Sequence, residues 1–254
     1  MLLNKKIVSK KNIGILIVML VSTVGFGQVS ENEVITVNEN LRLIKLTDHV
    51  YIHESFHMSE EYGRLGSNGM ILIDGDKAFL FDTAMTDAVT LQLLDYIEDS
   101  LKLKIVGFVT NDWHGDSMEG LELIKQREIK SYSNEMTKEI TLEKGMPVPD
   151  IGFMDAMTIP FGRYHIICSY HGPAHTIDNI VVWIPEEKVL FADCMVKDIK
   201  SENLGFTGDG DLESYPQTLQ KVRDSYPDAL YVIPGHGKHG GIDLIDHTME
   251  LATK

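Results

Sequence analysis

The sequence predicts an α/β fold in which two mixed β-sheets pack face to face with helices outside. Three observations carry this expectation. Short β-rich runs open each half of the chain and amphipathic helical patterns close it. Turn chemistry separates neighbouring runs at hairpin spacing. No repeat, low-complexity tract or Pro/Gly/Ser linker divides residues 28–254, so one domain is expected there, long enough at 43% hydrophobic content to bury a sizeable core.

In chain order, LRLIKLTDHVYIHESF, SNGMILIDGDKAFLFDTA and KIVGFVTND read as strands, and AVTLQLLDYIEDSL and SMEGLELIKQRE as the helices that follow two of them. The second half repeats the habit with MTIPF, YHIICSY and NIVVWIPEEKVLFADC. A helix around SYPQTLQKVRDSY, the strand ALYVIPGH and a last helix IDLIDHTMELAT complete it. Asp74-Gly75 between ILI and KAFLF is a hairpin signal, and Pro185-Glu186-Glu187 separates VVW from VLF in the same way.

Ahead of this body, Lys5, Lys6, Lys10 and Lys11 precede the apolar stretch from Ile13 to Gly27, the pattern of a secretory leader. The stretch is shorter than the ~20 apolar residues of a spanning helix, which makes a retained membrane anchor the lesser alternative. Deleting residues 1–27 removes four lysines and no acids, taking the formal charge from −15 to −19. An acidic exported protein follows, expected in the periplasm, with no membrane association in the mature form. The charge and the absence of a basic run in the body of the chain argue against a nucleic-acid partner. Cys168 and Cys194 could pair in an oxidising compartment, but Cys168 lies in strand-like alternation and Cys194 at the end of an apolar run, so two free thiols with different roles are expected.

Polar residues of chemical interest fall just where strands end. Asp82 closes KAFLFDT, the motif DWHGD follows KIVGFVTN, His175 precedes NIVVW, Cys194 closes VLFAD and His236 follows LYVIP. A lone histidine beside glycine is more often a turn or a satisfied polar group than a ligand. Together, however, His114, Asp116, His175, Cys194 and His236 are all types that zinc accepts, and zinc sites draw three or four such groups from neighbouring loops. His57, His171 and His239 are not expected to be ligands.

In their order and separations, DWHGD, GPAHT, ADCMVK and PGHG resemble the metallo-β-lactamases, in particular the first subclass of the class B enzymes. The likeness runs over essentially the whole mature chain and is specific, because a cysteine at the place of Cys194 separates that group from most other members of the wider fold. It implies a four-layer αβ/βα sandwich. It also implies hydrolysis of the β-lactam amide by zinc-activated hydroxide, with one or two Zn(2+) ions per chain. Positions Asp112, His114 and His175 would hold one ion, and Asp116, Cys194 and His236 the other. Asp116 and Lys197 would belong to the catalytic machinery, with Lys197 anchoring the substrate's carboxylate, and Asp82 would be a buried acceptor that orients a ligand. The expected partner is a small-molecule β-lactam, and the expected state a monomer.

Three positions depart from the family pattern. Asp112 stands where histidine is expected, a shorter and charged ligand. Phe206 stands where relatives place an asparagine that contacts substrate, so the substrate wall loses a hydrogen-bond donor. Glu119 replaces a second glycine. These departures leave room for a narrowed or weakened spectrum; a carbapenem preference is a separate expectation of the resemblance. Rival readings are a thioesterase or lactonase on the same scaffold, disfavoured by Cys194 and Lys197, and a zinc-binding homologue whose catalysis has decayed.

Overall fold

The computed structural model describes residues 33–59 and 63–254. The leader expected over residues 1–27 lies outside them. None of the described helices is long and apolar enough to cross a membrane.

Thirteen strands form two mixed sheets among the described residues. The first holds β1 (Val34–Asn38), β2 (Leu41–Lys45), β3 (Val50–Ser59), β4 (Gly63–Asp74), β5 (Lys77–Phe81), β6 (Lys104–Val109), β7 (Ser131–Asn134) and β8 (Ile151–Phe153) in sequence order. Pairing is antiparallel from β1 to β5 and parallel from β5 to β8. The second runs β13-β12-β11-β10-β9, with β9 (Ala156–Phe161), β10 (Tyr164–Ser169), β11 (Val181–Ile184), β12 (Val189–Asp193) and β13 (Tyr231–Pro234). Only the β12–β13 pair is parallel in that sheet. Both expected hairpins form: Asp74 pairs with Lys77 across Gly75, and Ile184 with Val189.

Strand periodicity divides the core into layers. Met70, Leu72, Phe79 and Phe81 of the first sheet meet Ile166, Cys168, Val182 and Phe191 of the second in one buried cluster. The alternate residues Ile71, Ala78 and Leu80 turn the other way. They pack on α1 (Asp87–Asp95), which continues into a π-helical turn over Tyr96–Ser100, and on α3 (Leu121–Gln126). On the far side, Val181, Leu190 and Val232 pack on α5 (Tyr215–Ser225) and α6 (Asp243–Ala252). Helix, sheet, sheet, helix is thus the observed order, the four-layer αβ/βα sandwich. Cys168 lies in the inter-sheet core, and both cysteines are free.

The sequence reading left residues 129–156 without elements. They form β7, α4 (Glu135–Glu143), which Asn134 caps by accepting from the Met136 N–H, and β8.

One buried titratable group sits in this scaffold away from the loops. His53 on β3 faces Gly69 on β4, where a Cβ would come within 2.1 Å of Nε2, and its Nε2 lies 3.2 Å from the Phe81 carbonyl. Burial pulls the His53 imidazole down to about 4. Unfolded, it would titrate near 6.5, so between pH 6.5 and 4 the unfolded chain binds the extra proton and stability falls as pH drops. The expected loss from this group is about 3 kcal/mol over that window. Urea midpoints for the wild type and His53→Asn should therefore converge on acidification; a constant difference from pH 7 to 4.5 would contradict this.

Candidate metal centre

Four loops at strand ends meet at one rim of the sandwich. The DWHGD loop follows β6 and enters the short α2 (Gly115–Met118); the loop ahead of β11 carries His175; Cys194 follows β12; and His236 follows β13. The described residues contain two groups of potential ligands with all donor atoms within 4.8 Å of one another: Asp112, His114 and His175, and Asp116, Cys194 and His236. These are the two sets expected from the sequence. His57, His171 and His239 belong to neither, and His171 faces the Tyr226 hydroxyl at 3.2 Å instead.

The second group is compact. Cys194 Sγ lies 3.2 Å from His236 Nε2 and 3.7 Å from Asp116 Oδ2, and His236 Nε2 lies 3.3 Å from the same carboxylate oxygen. A tetrahedral ion with bonds of about 2.0–2.3 Å sets its ligand atoms about 3.3–3.8 Å apart, so this triangle fits zinc closely. His236 Nδ1 donates to the Gly66 carbonyl at 2.7 Å, which aims Nε2 at the thiol and the carboxylate, where a bound ion would take the place of the proton shared with Asp116. Gly235 lets the loop pass Cys194, since a Cβ there would come within 2.5 Å of Sγ.

The first group is looser. Asp112 is buried, and its Oδ1 accepts from the backbone N–H of His114 at 2.9 Å, an Asx turn that leaves Oδ2 for a ligand. That oxygen is 3.9 Å from His114 Nδ1, wider than the about 3.3 Å edge of a tetrahedral nitrogen and oxygen set. His114 Nε2 donates to Asp209 Oδ2 at 3.0 Å, which turns the Nδ1 lone pair inward. Its ring is flanked by Trp113 at 4.7 Å, His175 at 5.2 Å and Phe206 at 5.9 Å. His175 Nδ1 is buried and has no hydrogen-bond partner.

Electrostatics favour a cation at this rim. Burial first, then the carboxylates of Asp193 and Asp178, push Asp112 well above the usual carboxylate range. Burial and the neighbouring Asp193 and Asp116 likewise raise the Cys194 thiol. Burial acts the same way on Asp116, but the hydrogen bond and charge of His236 outweigh it and hold that carboxyl below the usual range. Burial and Lys197 bring His175 down to about 2, so its imidazole is neutral and free to ligate. The chain has concentrated acids and a thiol where their ionised forms need a positive partner. Donor types, spacing and charge all fit zinc.

Asp82, at φ +56°, is fully buried at the end of β5. Its Oδ1 accepts from the Asn111 backbone N–H at 2.8 Å, so it fixes the backbone ahead of Asp112, and among the described residues it makes no hydrogen bond to a ligand side chain. Lys197 is 8% exposed, and no carboxylate among the described residues forms an ion pair with its ammonium. Phe206 is 60% exposed beside His114. The sequence reading missed Asp209, in a Gly-Asp-Gly-Asp turn where nothing distinguishes it from Asp211, and Asn68, whose hydrogen bonds hold the His236 loop.

No family model matches the chain. Curated relatives nevertheless align over nearly all of it. A protein named metallo-β-lactamase type 2 from Bacteroides fragilis is 39% identical over 244 residues, 96% of each chain. One of the same name from Pseudomonas aeruginosa is 31% identical over 216 residues, 85% of each. Among solved structures, VMB-1 superposes with a TM-score of 0.81 at 38% identity, covering 85% of this chain and 98% of its own. The metallo-β-lactamase FIM-1 from Pseudomonas aeruginosa, crystallised in a mono-zinc form, superposes at 0.80 with 28% identity, covering 86% and 97%.

Proposed function

The chain belongs to the metallo-β-lactamase family, and from that premise we propose that it is a zinc hydrolase that opens the four-membered amide ring of β-lactam antibiotics. The Asp116, Cys194 and His236 triangle carries the reading, because its spacing and donor set suit a tightly held zinc. Asp112, His114 and His175 would hold a second, weaker ion, a reading supported by the 3.9 Å gap and by the commitment of one Asp112 oxygen to its own turn. Zinc supplies Lewis acidity and the acidification of water that let an amide carbonyl be attacked near neutral pH.

The chain's own residues bind and orient. The Lys197 ammonium, three residues beyond Cys194 and without an ion pair among the described residues, receives the carboxylate that β-lactams carry beside the ring. Asp116 stays ionised beside His236 and keeps negative charge at the floor of the site. Asp209 and Gly66 aim the rings of His114 and His236. Phe206 lines the substrate's entry with an apolar ring where an amide donor is expected, which favours substrates bound through carboxylate and apolar contacts over those needing that hydrogen bond. Asp82 holds the backbone of the motif.

We further propose a leader over residues 1–27, one catalytic domain from residue 28 onward, a monomeric periplasmic enzyme and, through its activity, resistance of the host to β-lactams. The deciding assay is hydrolysis of nitrocefin and imipenem with added zinc and a chelator control. Turnover abolished by chelation is expected; a zinc-loaded protein silent on both substrates would overturn the reading.

A further inference from the structure

We propose that Asn68 is a positioning residue for the metal centre, acting through the loop that carries His236. The inference rests on the reading of Asp116, Cys194 and His236 as one metal site. Asn68 lies on β4 in the first sheet, 2% exposed, whereas His236 follows β13 in the second. Across that gap Asn68 makes three hydrogen bonds to the loop. Its backbone N–H donates to the Gly235 carbonyl at 2.8 Å. Its side-chain Nδ2 donates both protons, to the carbonyls of Pro234 and Gly237, each at 2.9 Å. The carbonyls of residues 234, 235 and 237, on both sides of His236, are thus gripped by one residue. Two positions earlier on the same strand, Gly66 takes the His236 Nδ1 proton.

The arrangement leaves His236 little freedom. Gly66 fixes how the imidazole is turned, and Asn68 fixes where its backbone stands. The loop also passes so close to Cys194 that Gly235 has no room for a side chain, so a displacement of the loop disturbs thiol and imidazole together. Because an asparagine amide offers two protons in a fixed plane, it can serve two carbonyls at once; a serine hydroxyl serves one. Loss of partners that orient ligands lowers metal affinity about 10–100-fold.

The test is a cobalt(II) titration of the metal-free full chain, read at the thiolate-to-cobalt charge-transfer band, which only an ion on Cys194 produces. Asn68→Ala should shift the midpoint about 10–100-fold to higher cobalt, and Asn68→Ser should fall between it and the wild type. Thr141→Ala, which removes a buried hydroxyl bonded to the Thr137 carbonyl on α4, serves as the folding control and should leave the midpoint in place. The inference is overturned if Asn68→Ala binds within about twofold of the wild type, or if Thr141→Ala shifts the midpoint as far. Should Asn68→Ala fail to fold, Asn68→Ser decides by the same twofold limit. Absence of the band from the wild type would sink the metal-site reading itself, whereas a normal wild-type band untouched by the Asn68 variants sinks the inference alone.

Discussion

Cys194→Ser is expected to cut kcat/KM for nitrocefin by more than about 100-fold, beyond the cost of losing a partner that merely orients a ligand. The substitution is nearly isosteric, so the cavity and the 3.2 Å and 3.7 Å neighbours, His236 Nε2 and Asp116 Oδ2, stay where they are. What changes is the donor. A thiol held well above its usual pKa by burial and by Asp193 still ionises when zinc binds it, because the metal stabilises the thiolate directly; a serine hydroxyl stays protonated and is a poor ligand. The remaining Asp116 and His236 give two ligands in place of three. Zinc per chain after dialysis should fall with the activity. Retained zinc together with less than tenfold loss of rate would show that Cys194 is only a small core residue.

Asp112→His is expected to raise both the affinity for the second ion and the hydrolytic rate, each by at least about tenfold. With Asp112, three anionic ligands face up to four positive charges; with histidine the count is two, and the centre becomes more electrophilic. Reach matters as well. Asp112 Oδ1 is tied to the His114 N–H, and Oδ2 remains 3.9 Å from His114 Nδ1, so a longer imidazole closes a gap that the carboxylate leaves. Dialysed wild type should hold about one zinc and the variant about two. Two firmly retained, equivalent ions in the wild type, or a variant no faster at saturating zinc, would count against the asymmetry.

Much of this centre is visible in the sequence because its ligand-type residues stand where apolar runs stop. Asp82, DWHGD, Cys194 and His236 each follow a run that reads as a strand, and those runs are β5, β6, β12 and β13. The region from β7 to β8 escaped because its burial does not follow apolar periodicity. SYSN is polar, and α4 buries Thr137 and Thr141 rather than leucines. Asp209 and Asn68 escaped for a different reason. Each acts on a residue far away in the chain, Asp209 on a histidine 95 positions earlier and Asn68 on carbonyls 166 and 169 positions later. No local pattern announces a hydrogen bond that depends on two sheets having packed.

The same separation governs when the protein can take up its metal. Asp116 comes from the first half of the chain, Cys194 lies 78 residues on, and His236 a further 42. A nascent or half-folded chain holds at most one or two of these donors at a time, and so competes poorly for zinc while its sheets are still apart. If these three residues hold the ion as proposed, its uptake is a late event that fastens a completed assembly, and resistance to chelation would report whether a folded population is whole.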